Sequence, residues 1–314
     1  MEKEPLIILT GPTAVGKTKL SIALAKAVGG EIISADSMQV YRHMDIGSAK
    51  IRPEEMQGVP HYLVDELEPW EEFHVVRFQQ MAKEAAGKIR HRGHIPIVVG
   101  GTGFYIQALL YDIDFTENEA SPYRQELEAL AAGRGAVWLH GELEKVDPES
   151  AAAIHENNVK RVIRALEFYH LTGKKISEHN EEQHGKESPY QYAYFVLNED
   201  RAVLYDRIGR RIDRMLEEGL VDEVKRLRDM GCSRGMVSMQ GLGYKEILAY
   251  LDGEYTLPEA VEILKRDTRH FAKRQLTWFR RERDVIWLNK EEYACSEDRI
   301  LARMLEILQE KEII

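Results

Sequence analysis

The segment GPTAVGKT, residues 11–18, has the spacing G-x-x-x-x-G-K-[ST] of a loop that binds phosphate groups. Glycines let the backbone close around an anion, while successive N–H groups and the N-terminus of the following helix point towards it. Lys17 adds a positive charge, and the Thr18 hydroxyl can hold Mg²⁺. The loop alone does not tell whether it binds the γ-phosphoryl group of a nucleotide or a pyrophosphate that leaves another compound. The predicted phosphate-binding residues are Gly11, Pro12, Thr13, Ala14, Val15, Gly16, Lys17 and Thr18.

A carboxylate, Asp36, ends the second predicted strand in the segment EIISADS. The carboxyl ends of parallel strands line the ligand crevice of an α/β sheet, so Asp36 is expected to face the phosphate site. There it could serve as a Mg²⁺ ligand or as a general base, while a purely structural role as a turn cap is the alternative. The glycine turn VGGTG ends the third strand and is expected to bring Thr102 to the same crevice.

Four arginines are spaced to share one face of a predicted helix. They stand at i, i+3, i+4 and i+7, and they are Arg207, Arg210, Arg211 and Arg214. Acidic neighbours on the same helix could neutralise them as ordinary surface pairs. The functional hypothesis is that one arginine reaches the phosphates, because a guanidinium group matches phosphate oxygens well.

A basic segment at residues 265–283 contrasts with the acidic chain around it. It holds eight Lys and Arg residues against two acidic ones, whereas the net charge of the whole chain is −10. Trp278 and Phe279 interleave with these cations, and cations with aromatic rings suit an RNA backbone and exposed bases. The alternatives are a solvated helix face and aromatic rings that anchor the core.

The elements that position these residues follow from the pattern of apolar residues. The apolar run Leu6–Leu9, the amphipathic stretch Lys17–Val28 and a strand that ends in Asp36 alternate as strand, helix and strand. A helix at Val75–His91, a third strand in IPIVVGGTG and a helix at Phe104–Leu110 continue the alternation. We therefore predict an α/β fold, a P-loop NTPase-like parallel sheet flanked by helices.

The alternation stops near Asp114, and helix signals without a strand follow. Ser121 is the expected N-cap of one helix, with Pro122 at its first position. Asp147 is placed in the same way before a proline, and Asn158 is a third expected cap before an apolar helix face.

The first pattern then returns with a strand in YQYAYFVL, a short strand in VIWL and a C-terminal helix. Between the strands we predict two long helices, at Tyr205–Met230 and from Leu257 to about Arg281. The predicted organisation is a catalytic core made of residues 1–115 and 189–314, with a helical insertion domain at residues 116–188.

Composition excludes several classes of protein. The chain has 314 residues, of which 44% are hydrophobic, so an ordered core is expected rather than disorder. No apolar stretch approaches the roughly 20 residues that span a bilayer, and the apolar run near the N-terminus is too short for a signal peptide. Cys232 and Cys295 have neither metal-ligand spacing nor a disulfide pattern. We expect a cytoplasmic monomer with no membrane partner.

Eight segments, taken in order, resemble one family, the tRNA isopentenyltransferases, which include the bacterial tRNA dimethylallyltransferases. They are GPTAVGKT, ISADSMQVY, MDIGSAK, PHYLVD, VVGGTGFYI, RALE, QGLGYKE and KRQLTWFR. The resemblance runs from about Pro5 to Leu288. Eukaryotic relatives often carry a C-terminal zinc finger, for which this chain has no Cys/His set.

The resemblance implies transfer of a dimethylallyl group from dimethylallyl pyrophosphate to N6 of adenine 37 in tRNA, with release of pyrophosphate. The loop would then hold a leaving group, although the motif alone is typical of ATP and nucleotide binding. Lys17, Thr18 with Mg²⁺, and Arg211 would stabilise the charge that develops on the pyrophosphate. Asp36 would be the base that takes the proton from the adenine amine.

The resemblance also implies where the anticodon stem-loop of the tRNA binds. The implied tRNA-binding residues are Asp36, Ser37, Met38, Gln39, Thr102, Arg124, Lys160, Arg161, Val162, Ile163, Arg164, Gln240, Gly243, Lys245, Lys273, Arg274, Gln275 and Arg280. Because the chain as a whole is acidic, this predicts a positive groove on a negative body and binding that weakens steeply as salt rises.

Two other functions share some of these features. A small-molecule or nucleotide kinase would use the same loop, with Asp36 as the base for a hydroxyl acceptor. A kinase does not account for the basic, aromatic C-terminal helix or for the helical insertion. A P-loop protein that binds RNA without chemistry is the second alternative, and loss of transfer on substituting Asp36 would exclude it.

Overall fold

The computed structural model describes residues 3–115 and 122–314. Its strands are β1 (Glu4–Thr10), β2 (Gly30–Ala35), β3 (His61–Tyr62), β4 (Ile95–Gly100), β5 (Tyr190–Asn198) and β6 (Val285–Asn289). They form one parallel sheet in the order β3-β2-β4-β1-β5-β6. The predicted fold class, a parallel sheet flanked by helices, is confirmed.

Helices make up most of the remaining described residues. Those before and within the expected insertion are α1 (Lys17–Val28), α2 (Val75–His91), α3 (Gly103–Leu110), α4 (Pro122–Arg134), α5 (Ala136–Val146), α6 (Pro148–Ala153), α7 (Val159–Thr172) and α8 (Ile176–Gly185). The later ones are α9 (Arg201–Glu217), α10 (Leu220–Asp229), α11 (Tyr244–Leu251), α12 (Leu257–Phe279) and α13 (Glu297–Glu310). Short 3₁₀ turns occupy Ser238–Gln240 and Lys290–Tyr293.

The chain divides into two compact units. One comprises Met1–Leu110 and Pro189–Ile314 and contains the sheet; the other comprises Tyr111–Ser188 and contains α4–α8. The expected insertion domain, 116–188, falls within the second unit. Its expected start at residue 116 and the expected cap Ser121 lie outside the described residues.

Strand β1 is central to the sheet because it pairs with β4 on one side and β5 on the other. Its residues Leu6–Leu9 are completely buried, as a parallel strand covered by helices on both faces requires. The phosphate loop therefore starts at the carboxyl end of the middle of the sheet, where the ends of β2, β4 and β5 also lie.

The second unit has a core of its own. Apolar side chains of α4, α5, α6 and α7 form it, and its buried members are Leu127, Leu139, Leu143, Ala151, Val162, Ile163, Ala165 and Leu166. Asp147 caps α6 as expected, accepting a hydrogen bond from the Ser150 N–H at 3.0 Å. Asn158 does precede α7, but its side chain makes no capping hydrogen bond, so that part of the prediction is wrong.

One predicted helix is in fact two. Within Tyr205–Met230, which was expected to be one helix, α9 ends at Glu217 and α10 begins at Leu220. Gly219 between them has a φ of 98°, a left-handed conformation that interrupts the helix at little cost for glycine. Strand β3 and helix α11 were not predicted, because a two-residue strand and an eight-residue helix leave little periodic signal.

Candidate active site

The loop between β1 and α1 has the backbone that its glycines predict. Gly11 and Gly16 have φ values of 147° and 98°, and a Cβ at Gly11 would lie 2.3 Å from the Leu197 carbonyl oxygen of β5. Lys17 Nζ donates hydrogen bonds to the carbonyls of Gly11 (2.9 Å) and Pro12 (2.8 Å). An ammonium group has three N–H donors, so one remains for a phosphate oxygen.

Lys17, Arg211 and Asp36 interact electrostatically beside this loop. Burial lowers the pKa of Lys17 to about 7; the Asp36 carboxylate opposes this shift, and the Arg211 guanidinium adds to it. The pKa of Arg211 is also lowered by burial and raised by Asp36. Arg211 Nη1 lies 3.4 Å from the Thr13 hydroxyl of the loop. Two half-buried cations held close together favour an anion beside them.

Of the four arginines on α9, two lie at the loop. Besides Arg211, the Arg207 side chain approaches Gly16, since a Cβ there would be 4.0 Å from Arg207 Nη1. Arg210 and Arg214 are exposed, and Arg210 pairs with Asp206 four residues earlier. The shared helix face was therefore predicted correctly, but only one edge of it faces the phosphate loop.

Asp36, the first residue after β2, serves partly as a turn cap. Its Oδ1 accepts hydrogen bonds from the N–H groups of Met38 (2.8 Å) and Gln39 (3.4 Å). Its Oδ2 accepts none from the residues that the structure describes. The structural alternative and the functional hypothesis are thus compatible, because one oxygen orients the carboxylate and the other is available to accept a proton.

The glycine turn after β4 packs directly against Ala35, the last residue of β2, which immediately precedes Asp36. A Cβ at Gly100 would lie 2.2 Å from the Ala35 carbonyl oxygen, and the Thr102 N–H donates to that same oxygen at 3.2 Å. The expectation that Thr102 lies beside Asp36 is therefore met. Trp278 of α12 covers the turn, since a Cβ at Gly103 would be 2.2 Å from its ring.

Gln275 connects the two glycine loops, a role that sequence reasoning missed. Its Oε1 accepts from the Thr13 N–H at 2.9 Å, and its Nε2 donates to the Gly101 carbonyl at 3.0 Å. The side chain is buried, so its expected contact with tRNA is less favoured than this positioning role. No local signal marks the residue, because both partners lie more than 170 positions away in the chain.

A second missed feature anchors the loop within MDIGSAK. The Glu223 carboxylate of α10 is buried and accepts from the N–H groups of Asp45 (3.0 Å), Ile46 (2.8 Å) and Gly47 (3.0 Å). Tyr244 of QGLGYKE donates its hydroxyl to the same carboxylate at 2.9 Å. The available signal was a glutamate on the apolar face of a predicted helix, which calls for buried partners.

The C-terminal basic segment presents an exposed cationic surface along α12. Lys273, Arg274 and Arg280 are exposed, whereas Phe279 is completely buried as a core anchor. Two cavities open there: one of about 490 Å³ is lined in part by Lys273 and Arg280, and one of about 360 Å³ by Lys273, Arg274 and Trp278. Both could receive a polyanion.

Comparisons with known proteins identify the family to which the chain belongs. The sequence model of the IPP transferase family matches residues 39–282, and that of isopentenyl transferase matches residues 5–68. The chain belongs to the IPP transferase family. Curated relatives of that family include a tRNA dimethylallyltransferase of Lachnoclostridium phytofermentans, 67% identical over 99% of both chains. Another, of Bacillus licheniformis, is 55% identical over 91% of both chains.

Solved structures of the IPP transferase family are similar over most of the chain. The tRNA isopentenylpyrophosphate transferase of Bacillus halodurans has a TM-score of 0.74 and 48% identity, covering 99% of this chain and 98% of that one. A eukaryotic dimethylallyltransferase acting on tRNA has a TM-score of 0.80 and 32% identity, covering 91% of this chain and 74% of that one. The resemblance found in the sequence is thereby confirmed, and the chain is an enzyme of this family.

Several implied tRNA contacts lie on the helical unit. Some of these residues are exposed and others are buried. Lys160 and Arg161 are exposed and Arg164 is half-buried. Val162 and Ile163 are buried in the core of that unit, so only their backbone is placed to take part in the tRNA binding implied for them. A helix that presents one face to its core cannot offer five consecutive residues to a ligand.

Arg124 of the helical unit has a buried acidic partner. Its Nη2 lies 2.5 Å from Oε2 of Glu167, whose side chain is completely buried, and Arg164 Nη1 lies 3.9 Å from the same oxygen. A buried carboxylate needs such a cation, so Arg124 has a structural task in addition to the contact implied for it.

The remaining implied contacts of the core unit differ in exposure. Ser37, Met38 and Gln39 are half-buried in the turn after Asp36, Gln240 is exposed, and Lys245 is half-buried. Gly243 has a φ of 93° before α11 and is buried, so only its backbone could take part in binding.

The residues present fit a Mg²⁺ ion that is held mainly by substrate phosphates and water, with few protein ligands. Thr18 is exposed at the start of α1, as a metal-binding hydroxyl requires. Among residues 3–115 and 122–314, no group of three or more His, Cys, Asp or Glu could hold a metal ion. Magnesium commonly keeps several waters and binds through substrate phosphates, which is compatible with this donor set.

Across the described ranges, no helix has both the length and the apolar character needed to cross a bilayer.

Proposed function

We propose that this enzyme transfers the dimethylallyl group of dimethylallyl pyrophosphate to N6 of adenine 37 in tRNA and releases pyrophosphate. Membership of the IPP transferase family supports the reaction. The observation that carries the assignment to residues is the position of Lys17 and Arg211 at the phosphate loop, with Asp36 near enough to affect the charge of both. Two cations are thus placed to stabilise the leaving pyrophosphate, and one carboxylate is placed to accept a proton.

The phosphate loop, Lys17 and Arg211 stabilise the leaving group. As the bond between the allylic carbon and the oxygen breaks, negative charge grows on the pyrophosphate. Fixed donors aimed at developing charge are usually the largest contribution to catalysis. The pKa of about 7 for Lys17 supports this role, because a bound polyanion favours the charged form of an ammonium that burial has made less stable.

Asp36 accepts the proton of the adenine amine. The amine is a weak nucleophile, since its lone pair is delocalised into the ring, and proton removal must accompany attack. The two backbone hydrogen bonds to Oδ1 support this role by fixing the carboxylate while Oδ2 stays available. A positioned base contributes about 10²–10⁴-fold to the rate.

Magnesium fits beside this site, with Thr18 and pyrophosphate oxygens as ligands. When bound, the ion would neutralise charge on the pyrophosphate.

The tRNA reaches Asp36 with the target adenine out of its stack, which an anticodon loop allows at a cost of a few kcal/mol. We propose that three exposed cations bind its backbone: Lys273 and Arg274 of α12, and Arg280 directly after it. Lys160 and Arg161 of the helical unit bind the anticodon stem-loop, and residues 116–188 act as a separate insertion domain in a catalytic core of 1–115 and 189–314. A tRNA substrate supports a cytoplasmic location, and we propose that the enzyme acts as a monomer.

We retain further contacts with tRNA in both units. They are Ser37, Met38, Gln39, Thr102, Gln240, Gly243 and Lys245, with Arg124 and Arg164 in the helical unit.

A transfer assay with labelled donor and an anticodon stem-loop tests the proposal. The informative variant is Asp36→Asn, because the amide oxygen can still accept from the Met38 N–H and so preserves the turn. We expect transfer to fall at least about 100-fold while stem-loop affinity is retained. Asp229→Asn, an exposed substitution at the end of α10, is the matched control. Activity of Asp36→Asn within a few-fold of the wild type would show that another group is the base.

The same assay separates the kinase alternative. A kinase incubated with ATP and an acceptor releases ADP, whereas the proposed enzyme consumes dimethylallyl pyrophosphate only when tRNA is present. Release of ADP that depends on an acceptor, without use of the isoprenoid donor, would overturn the proposal.

A further inference from the structure

A second group of charged side chains lies beside the phosphate loop. We call it the Glu199 cluster, made of Glu199, Arg207 and Lys290. Glu199 follows β5, Lys290 follows β6, and Arg207 lies on α9, so the cluster forms at the carboxyl edge of the sheet. The proposed reaction has no task for Glu199 or Lys290.

Lys290 is only 5% exposed, yet it is poorly partnered. Its ammonium donates no hydrogen bond within the described part of the chain. The nearest carboxylate oxygen, Glu199 Oε2, is 3.8 Å away, while Arg207 Nη1 lies closer to that oxygen at 2.9 Å. The Lys290 side chain is largely buried while its ammonium has no hydrogen-bond acceptor among the described residues, which suggests that its partner is a ligand.

The two cations of the Glu199 cluster point to the phosphate loop. A Cβ built on Gly16 would lie 3.2 Å from Lys290 Nζ and 4.0 Å from Arg207 Nη1. Gly16 immediately precedes Lys17, whose side chain is hydrogen-bonded to the other end of the loop. The loop is therefore flanked by Lys17 and Arg211 near Thr13, and by Lys290 and Arg207 near Gly16.

We propose that Arg207 and Lys290 form a second anion-binding position for the diphosphate, next to Gly16, with Glu199 holding them in place. This inference rests on the proposed function, because it assumes that a diphosphate occupies the loop. A diphosphate carries several negative charges, more than Lys17 and Arg211 neutralise. The cluster has two cations and one carboxylate, which leaves one positive charge for the ligand.

Calorimetric titration of the full-length protein with inorganic pyrophosphate tests the inference. Lys290→Met and Arg207→Gln should each weaken pyrophosphate binding about tenfold or more, because each removes a charge-assisted hydrogen bond. Arg210→Gln, one turn away on the exposed face of α9, is the matched control and should bind like the wild type. Pyrophosphate affinities of Lys290→Met and Arg207→Gln within twofold of the wild type would overturn the inference.

A double variant separates ligand binding from simple neutralisation of Glu199. In Glu199→Gln/Lys290→Met the cluster keeps its net charge. If Lys290 only neutralises Glu199, the double variant regains wild-type pyrophosphate affinity, and the inference is wrong. If Lys290 binds the ligand, the affinity stays at least about tenfold below that of the wild type. Since Arg207 is half-exposed, Arg207→Gln provides the test if Lys290→Met does not fold.

Failure of the proposed function would look different. Wild-type protein that binds no pyrophosphate, or binds it equally well after Lys17→Met, contradicts the diphosphate site as a whole. Wild-type binding that Lys17→Met removes, with no effect at Lys290 or Arg207, contradicts only the second position.

Discussion

Replacing Glu223 by glutamine should lower the free energy of unfolding by roughly 3–6 kcal/mol. The carboxylate is 1% exposed and accepts four hydrogen bonds, three from N–H groups of residues 45–47 and one from the Tyr244 hydroxyl. Glutamine is nearly the same size but has one oxygen and one NH₂ group. Its NH₂ must face donors, so about two of the four bonds are lost.

The magnitude follows from the charge of the acceptor. A hydrogen bond to a charged group contributes about 1.5–3 kcal/mol, and two of them give the range above. Such a loss is a large part of the total stability of about 5–15 kcal/mol that domains have. It would also free the backbone of residues 45–48, which lie near Gln39 because Gln39 Nε2 donates to the Ala49 carbonyl at 3.3 Å.

Urea unfolding followed by circular dichroism measures the effect. Asp222→Asn is the matched control, since Asp222 is the exposed neighbour of Glu223 and pairs with Lys225 at 3.3 Å. That surface pair contributes about 0–1 kcal/mol. A loss below about 1 kcal/mol for Glu223→Gln, no larger than for the control, would refute the reasoning that the four buried bonds hold the loop.

Three further predictions concern other parts of the molecule. Lys273→Gln should weaken tRNA binding and reduce the slope of log affinity against log salt by about one, while Lys225→Gln, exposed on α10, should not. Gly103→Ala should reduce transfer strongly, because the new Cβ would lie 2.2 Å from the Trp278 ring; wild-type kinetics would contradict this. Burial raises the pKa of Glu31, but hydrogen bonds from Arg92, His94 and Tyr62 outweigh it and lower the pKa to about 2. Its stabilisation is therefore complete above the unfolded pKa of about 4.3 and is lost as pH falls towards 2, a loss that thermal unfolding should show to be smaller in Glu31→Gln.

The elements that the sequence predicted correctly are those whose structure is determined by residues within the segment itself. The run Leu6–Leu9 is apolar on both faces, and α1 and α2 begin and end at the expected residues because periodicity and turn residues lie within the segments themselves. The break at Gly219 was missed because a glycine within a long amphipathic pattern is often tolerated.

The parts of the candidate site that could be predicted are those that belong to a sequence motif or lie at a strand end. The phosphate loop, with Lys17 and Thr18, has a spacing that itself creates the anion site, and the position of Asp36 at a strand end follows from parallel strand geometry. Assignment of Asp36 as a base and of Arg211 as a pyrophosphate ligand stays a prediction until it is tested.

By itself, the sequence determined the fold class, the phosphate loop and the family, since each depends on the order of residues within short segments. Only the tertiary structure decided that Arg207 and Arg211, rather than their neighbours on α9, face the loop. It also decided that Gln275 links Thr13 and Gly101 through hydrogen bonds. Thr13 is 262 positions from Gln275 in the chain, and Gly101 is 174 positions from it. Such contacts depend on how distant segments pack, and no local pattern of residues records which partners the packing will bring together.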